Sequence, residues 1–358
     1  MRFHRIAIRG GKIMQPDADS VSQMHAHAPV GIRDRAKFRQ RLVFGILAAA
    51  LAVTFVILGG PWLLGLLLVL CFFACREYFE LVEAKGYRPA SRLATVSAMA
   101  LMVLTDQTGT RFHGLFLTLS IILCFLALIL RGAPWYPRVP RLDLPDAHEE
   151  EASMATIADV ATTAMGILYC GWMPGFILLL RKFEPIGLDP ADGLWLGGVS
   201  LAPTGYPAGL WVTLMFFAAV IGSDVGGFFF GKFFGRHPLI GPLSPRKTLE
   251  GAIGGVGTAV LGALAVAGLA HVVPSGSSLA GLDRWPLIAA FAALVALTAQ
   301  VSDLSESLIK RDVGRRDAAE LIPGHGGMLD RVDGYLLSAS VAFWFVLHYW
   351  VLPAGGVA

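Results

Sequence analysis

Between Leu42 and Cys75 the chain carries no charged side chain, and the run is interrupted only by Gly59-Gly60-Pro61. About 20 apolar residues suffice for one helical crossing of a bilayer, so this run is too long for one and fits two. Glycine and proline near its middle predict two helices joined by a very tight turn. In lipid a helix satisfies its own backbone polar groups, which makes helix the natural state of such runs. Composition extends the argument to the whole chain. Charged residues make up 15%, against about 25% in average soluble chains, and mean hydropathy is +0.63. The expectation is an all-α, polytopic integral membrane protein.

Residues 1–41 stand apart. They are polar, with nine Lys or Arg against three Asp. No apolar h-region follows a short basic start, so a cleaved signal peptide is not expected, and the segment reads as a basic, disordered cytoplasmic tail. Beyond it the hydropathy predicts about nine spans. The first two flank Gly59-Gly60-Pro61, and the rest cover about 93–105, 114–130, 155–180 with a kink at Pro174, 207–231, 251–271, 285–302 and 335–352. Cys71, Cys75, Cys124 and Cys170 all lie in apolar runs and read as packing residues. With the N-terminus inside, 25 of the 29 Lys and Arg fall in cytoplasmic segments and four in outer loops, which fits the positive-inside rule. A net charge of +3 gives no reason to expect a nucleic-acid partner.

The charges within the spans are unevenly placed. Spans one to four read as nearly free of buried charge, whereas later ones carry Asp159, Asp224 and Asp303. An ionisable residue within a span is by default a functional-site hypothesis. The chain therefore divides into an N-terminal scaffold half, 42–206, and a chemical half, 207–358.

The densest polar stretch, Ser302 to Gly334, follows the eighth span. If Asp303 begins a helical stretch, Asp303, Ser307 and Lys310 share one face with Arg311 beside it. Asp330 and Asp333, at i and i+3, can converge from a second helix. Between them, Gly324, His325, Gly326 and Gly327 allow close backbone approach to an anion. Paired carboxylates on neighbouring helices suit Mg²⁺, which keeps water or phosphate on its other positions. Earlier, Asp224-Val225-Gly226-Gly227 precedes a stretch Ser244-Pro245-Arg246-Lys247-Thr248. Ser244 before Pro245 reads as a helix N-cap, placing Lys247 and Thr248 in a first turn that would attract phosphate. The glycines there are equally suited to close helix packing.

Ser307-Leu308-Ile309-Lys310-Arg311, then Arg316-Asp317, then the run Ile322 to Asp333 closely resembles the signature of phosphatidate cytidylyltransferases, also called CDP-diacylglycerol synthases. Asp224 to Lys232 and Leu243 to Gly251 look like a second part of that pattern. The chain departs where the family usually has Lys and this sequence has Arg316, and where a small hydroxyl residue gives way to Ala318. Arg keeps the charge but changes the donor geometry. The resemblance is strong over Asp224 to Gly334, general in hydropathy from Leu42 to Leu210, and does not reach the first forty residues.

The resemblance implies that CTP and phosphatidic acid give CDP-diacylglycerol and pyrophosphate, on the cytoplasmic side of a bacterial inner membrane, in a homodimer. It implies Mg²⁺, with room for a second cation, on Asp303 and Asp330, with Asp224 and Asp333 as further ligands. Lys247, Lys310 and Arg311 would hold nucleotide or pyrophosphate oxygens, Arg331 the lipid phosphate, and His325 would orient a phosphate. Ser244, Thr248, Ser307, Arg316, Gly326 and Gly327 complete the implied substrate contacts. A phosphate monoester, with a second pKa near 6, is already mostly a dianion at neutral pH, so no strong general base is needed. The obstacle is repulsion between anions, which cations offset. Alternatives are another lipid cytidylyltransferase, a CTP-dependent lipid kinase, or a cation-coupled transporter. A transporter would concentrate such groups near the bilayer midplane rather than in a cytoplasmic loop.

Overall fold

The computed structural model describes residues 50–132, 155–183, 207–241, 243–272, 284–314 and 327–351. The elements below all belong to the compact unit that begins at Ala52. A helical stretch over 52–58 stops at Gly59, and α1 (Gly60–Ala84) follows at once, with a proline in its first turn. Gly59 and Gly60 have φ of 63° and 49°, so the turn uses backbone that other residues rarely adopt. Next come α2 (Ser91–Thr108) and α3 (His113–Ile129). α4 (Ile157–Ile167) runs through a π-helical turn, Leu168–Trp172, into α5 (Met173–Arg181). A π-helical turn therefore stands just before Pro174, where the sequence predicts a kink. Pro174 has no N–H to bond the carbonyl four residues back, and the wider turn takes up the mismatch.

α6 (Pro207–Phe234) and α7 (Leu249–Val272) form the most closely packed pair. A Cβ at Gly226 would lie 1.7 Å from Thr258 Oγ1, and that hydroxyl donates to the Gly222 carbonyl at 2.8 Å. The glycines therefore serve close helix packing, as one of the two readings had it. α8 (Trp285–Asp312) packs on α7 and α9 (Leu329–Val346); α9 also packs on α5 and α1 and ends in a π turn, Leu347–Val351. Phe176 of α5 lies against Phe343 and Trp344 of α9, and so joins the two halves through buried aromatic surface.

Among the described residues, five helices are long and apolar enough to cross a membrane: Gly60–Ala84, Ile157–Arg181, Ala208–Phe234, Leu249–Val272 and Trp285–Asp312. α3 is apolar but shorter. The third and ninth expected spans are helices α2 and α9, which fall outside these five. Described residues are mostly helical.

Two expectations need correction. Ser244-Pro245 is not a helix N-cap. Ser244–Thr248 forms β2, paired antiparallel with β1 (Pro238–Ile240), and α7 begins only at Leu249. A two-stranded ribbon has edges on which Pro245 can sit without breaking a ladder. The cap is Thr248, whose hydroxyl accepts from Gly251 N–H at 3.2 Å. The first four expected spans are also not free of buried charge. Glu77 and Asp106, towards the ends of α1 and α2, are buried there.

Candidate functional site

Several helix ends meet at one place. Lys85, just past α1, donates to the Asp312 carbonyl at 2.7 Å and the Asp312 carboxylate at 3.0 Å at the end of α8. Arg311 Nε donates to the Leu243 carbonyl at 3.3 Å, tying α8 to the β-ribbon. Glu77 of α1 accepts from Met328 N–H and Leu329 N–H, both at 2.7 Å, and so caps the start of α9 with a carboxylate. A negative side chain at a helix N-terminus satisfies donors that would otherwise have no partner. This fixes the turn from which Asp330 and Asp333 project.

Between these ends lie Asp303, Glu306 and Asp333, each offering a carboxylate oxygen within 4.8 Å of the others. Glu306 is fully buried (0% exposed). Two lysines balance the group. Lys247, at the end of β2, pairs with Asp303. Lys310 pairs with Glu306 one turn back on α8 and with Asp330 Oδ1 at 2.5 Å. Asp330 Oδ2 also accepts from Gly327 N–H at 2.9 Å, so the anion met by that glycine is the chain's own carboxylate. Ser302 braces α8 against α9, donating to the Asp333 carbonyl and accepting from Leu337 N–H at 3.2 Å.

Of the expected residues, then, Asp303, Asp333, Asp330, Lys310 and Lys247 come together. Asp224 stands exposed on α6 beside them, within electrostatic reach of Asp303 and Lys247. Ser307 is half-buried on α8 and Arg331 is exposed on α9. Thr248 caps α7, and Ser244 opens β2. Arg316, His325 and Gly326 lie outside the described residues. Glu306 is the member that the sequence reading missed. Its spacing, three after Asp303 and four before Lys310, puts it on their helix face and was available as a signal.

Buried polar atoms are normally hydrogen-bonded. At the centre, Glu306 is held by its ion pair with Lys310 and Lys247 by its ion pair with Asp303, and neither side chain bonds main chain of the described residues. An all-carboxylate, hard-oxygen donor set flanked by lysines fits Mg²⁺ and phosphate. Asp159, by contrast, is engaged in local structure. It completes a capping box with Thr156 and accepts from Arg88 N–H at 2.6 Å.

The centre is acidic and oxygen-rich, carries paired lysines, and is set among helices long enough to cross a membrane. The chain belongs to the cytidylyltransferase family, whose model matches residues 39–350. It is 32% identical over 317 residues to the phosphatidate cytidylyltransferase of Synechocystis, covering 86% of this chain and 96% of that one. It is 32% identical over 329 residues to the chloroplastic phosphatidate cytidylyltransferase 4 of Arabidopsis thaliana, covering 87% of this chain and 74% of that one. A Mycobacterium bovis phosphatidate cytidylyltransferase is 42% identical over 137 residues, or 38% of this chain and 41% of that one.

Proposed function

We propose that this chain is a CTP:phosphatidate cytidylyltransferase. The observation that carries the reading is the Asp303–Glu306–Asp333 trio between Lys247 and Lys310, in a chain similar over most of its length to relatives of that name. A phosphate oxygen of phosphatidate attacks the α-phosphorus of CTP. The bond from that phosphorus to the β-phosphate oxygen breaks, and pyrophosphate leaves. The nucleophile is already anionic, so the chain needs no residue to remove a proton.

Asp303, Glu306 and Asp333 would hold Mg²⁺, with Asp330 and Asp224 close enough to join when a second cation binds. Mg²⁺ bound there would screen the two anions from each other and stabilise charge on the departing pyrophosphate. Lys310 is now shared between Glu306 and Asp330. Once the carboxylates have a cation of their own, its ammonium can turn to a phosphate oxygen. Lys247 stands in the same relation to Asp303. Arg311 and Arg331, with Arg316, His325, Gly326 and Gly327 of the connecting loop, supply further donors for the nucleotide and the lipid phosphate. Thr248 and Ser244 shape the ribbon that carries Lys247, and Ser307 lines the adjoining helix face.

The charge distribution supports a nine-span arrangement in a bacterial inner membrane, with the N-terminus and the centre on the cytoplasmic side. A homodimer follows from the family resemblance. The deciding experiment incubates the purified protein with phosphatidate, Mg²⁺ and CTP labelled at either the α- or the γ-phosphate. Label from the α-position should enter the lipid, and γ-label should leave as pyrophosphate. Transfer of γ-label to lipid would identify a kinase, and no transfer at all would refute the reading.

A further inference from the structure

Lys247 reaches the carboxylate centre on a slight support. It belongs to β2, which with β1 makes a ribbon of strands 5 and 3 residues long, with Pro238, Ile240, Pro245 and Arg246 exposed. A lone two-stranded hairpin is marginally stable in water, so its place depends on what ties it down. Three tethers do so. At the centre, Lys247 pairs with Asp303. Nearer the tip, Arg311 Nε donates to the Leu243 carbonyl at 3.3 Å. At the root, Glu250 in the first turn of α7 reaches back to the strand that enters the ribbon. Its Oε2 accepts from Arg236 N–H at 3.1 Å and from His237 N–H at 3.2 Å, and its Oε1 accepts from His237 Nδ1–H at 2.6 Å. Leu249 N–H donates to the His237 carbonyl at 2.9 Å and closes the root from the other side.

Binding acts on these tethers differently. Two of them are made by Lys247 and Arg311, the cations that the proposed reaction turns toward phosphate oxygens. The pair at the centre is also weakened from its other side, because a bound cation occupies Asp303. The root clamp uses no group that the reaction recruits. We propose that Glu250, through its hold on Arg236 and His237, is a positioning residue for Lys247. It keeps the ribbon seated when ligands draw off the other two tethers, and so keeps the Lys247 ammonium at the phosphates. A catalytic cation displaced by a fraction of its bond length loses most of its effect, which makes the root of the ribbon a determinant of rate. The inference rests on reading the centre as a cation and phosphate site.

The test compares purified full-length wild type, Glu250→Ala, Glu250→Gln, Lys247→Met and the double variant Glu250→Ala/Lys247→Met. Glu250→Ala should lower kcat/KM for CTP by about tenfold or more and leave KM for phosphatidate within about twofold, since misplacing a reacting group costs up to about a hundredfold. Glu250→Gln keeps both main-chain bonds through its carbonyl oxygen and should stay within about threefold of wild type. In the Lys247→Met background, Glu250→Ala should cost less than about twofold more, because the clamp then has no cation to place. Where Glu250→Ala does not yield folded protein, Glu250→Asp takes its place, keeping the charge in α7 but falling one methylene short. Equal losses in both backgrounds, a glutamine as damaging as alanine, or no effect beyond twofold would each overturn the inference. A second readout needs no turnover. The four native thiols are buried, so a nitroxide can be placed on a cysteine replacing exposed Arg246 and followed by EPR with and without Mg²⁺. With Glu250 intact the label should stay ordered in both conditions, and in Glu250→Ala it should become mobile when Mg²⁺ is added. A label no more mobile there than with Glu250 intact would also overturn the inference. Should wild type transfer no label from CTP to lipid, the functional reading falls, while the EPR measurement still decides whether Glu250 holds the ribbon.

Discussion

The two halves of this molecule both bury charge, and they use it in opposite ways. In α1 to α5 the buried ions are turned toward main chain, apart from the Asp106 carboxylate, which pairs with Lys182. Glu77 holds two N–H groups at the start of α9, and Asp159 holds the N–H of Arg88. Arg181 donates to the carbonyls of Val56 at 2.7 Å and Ile57 at 3.0 Å. Lys182 joins the carbonyl and the carboxylate of Asp106, both at 2.6 Å. Around α8 and α9 the ions face one another instead, Lys247 against Asp303 and Lys310 against Glu306 and Asp330, with Asp333 beside them. A charge committed to backbone has one structural job and no capacity to spare. A charge facing other charges is held in place for something else to bind.

The comparison predicts opposite signatures for loss of charge in the two regions. The largest effect should come from Asp333→Asn. The amide still accepts from Gly334 N–H, which the Asp333 carboxylate now does at 2.7 Å, so the local fold is kept. One of three mutually repelling carboxylates is gone, so Tm should hold or rise. Activity should fall about a hundredfold or more, since a site that stabilises developing charge loses that much with one key group. Near-normal turnover at limiting Mg²⁺ would remove Asp333 from the centre.

Glu77→Gln should reverse the pattern. A glutamine can offer an oxygen to only one of the two N–H groups and sets its own NH₂ against the other. A buried donor left without a partner costs about 1–3 kcal/mol. Thermal unfolding in detergent should show that loss, while turnover per folded molecule changes much less. If activity collapses and Tm does not move, Glu77 belongs with the second kind of charge.

How much of this was legible beforehand depended on the range of the interaction. Apolar runs and their Gly-Gly-Pro break placed the helices, because span length is a local property of the chain. Asp303, Lys310, Asp330 and Asp333 could be picked out because i, i+3 and i, i+4 spacing fixes a helix face. Glu306 was in reach of the same rule and was overlooked. Glu77 was not legible at all. Its partners, Met328 and Leu329, lie 251 and 252 residues further along the chain, and which helices pack together is not written in either segment. Ser244-Pro245 misled for a different reason, since the dipeptide opens helices and edge strands alike, and pairing with Pro238–Ile240 decided between them.

Asp159→Asn sharpens the comparison at smaller amplitude. One carboxylate oxygen accepts from Arg88 N–H and the other from Thr156 N–H at 2.7 Å, so the amide must forfeit one of these bonds. Loss of a cap costs about 1 kcal/mol. The variant should melt slightly lower, with kcat and both KM values within error of wild type. A selective fall in kcat would reopen the reading of Asp159 as an intramembrane functional carboxylate.

The smallest effect is expected outside both regions. Residues 2–30 precede the start of the family match at residue 39, and they show no apolar periodicity. The basic cluster from Arg33 to Arg41 would remain after their removal. Each basic residue near an anionic leaflet contributes about 1 kcal/mol of attraction, so that cluster alone suffices to hold the chain's start at the surface. Deleting residues 2–30 should therefore leave specific activity within about twofold, a change of roughly 0.5 kcal/mol or less in the barrier. Assayed with labelled CTP at equal expression, a much larger loss would give the tail a part in closing the site or in pairing two copies. The division into charges that hold backbone and charges that await ligand would then need a third, external contributor.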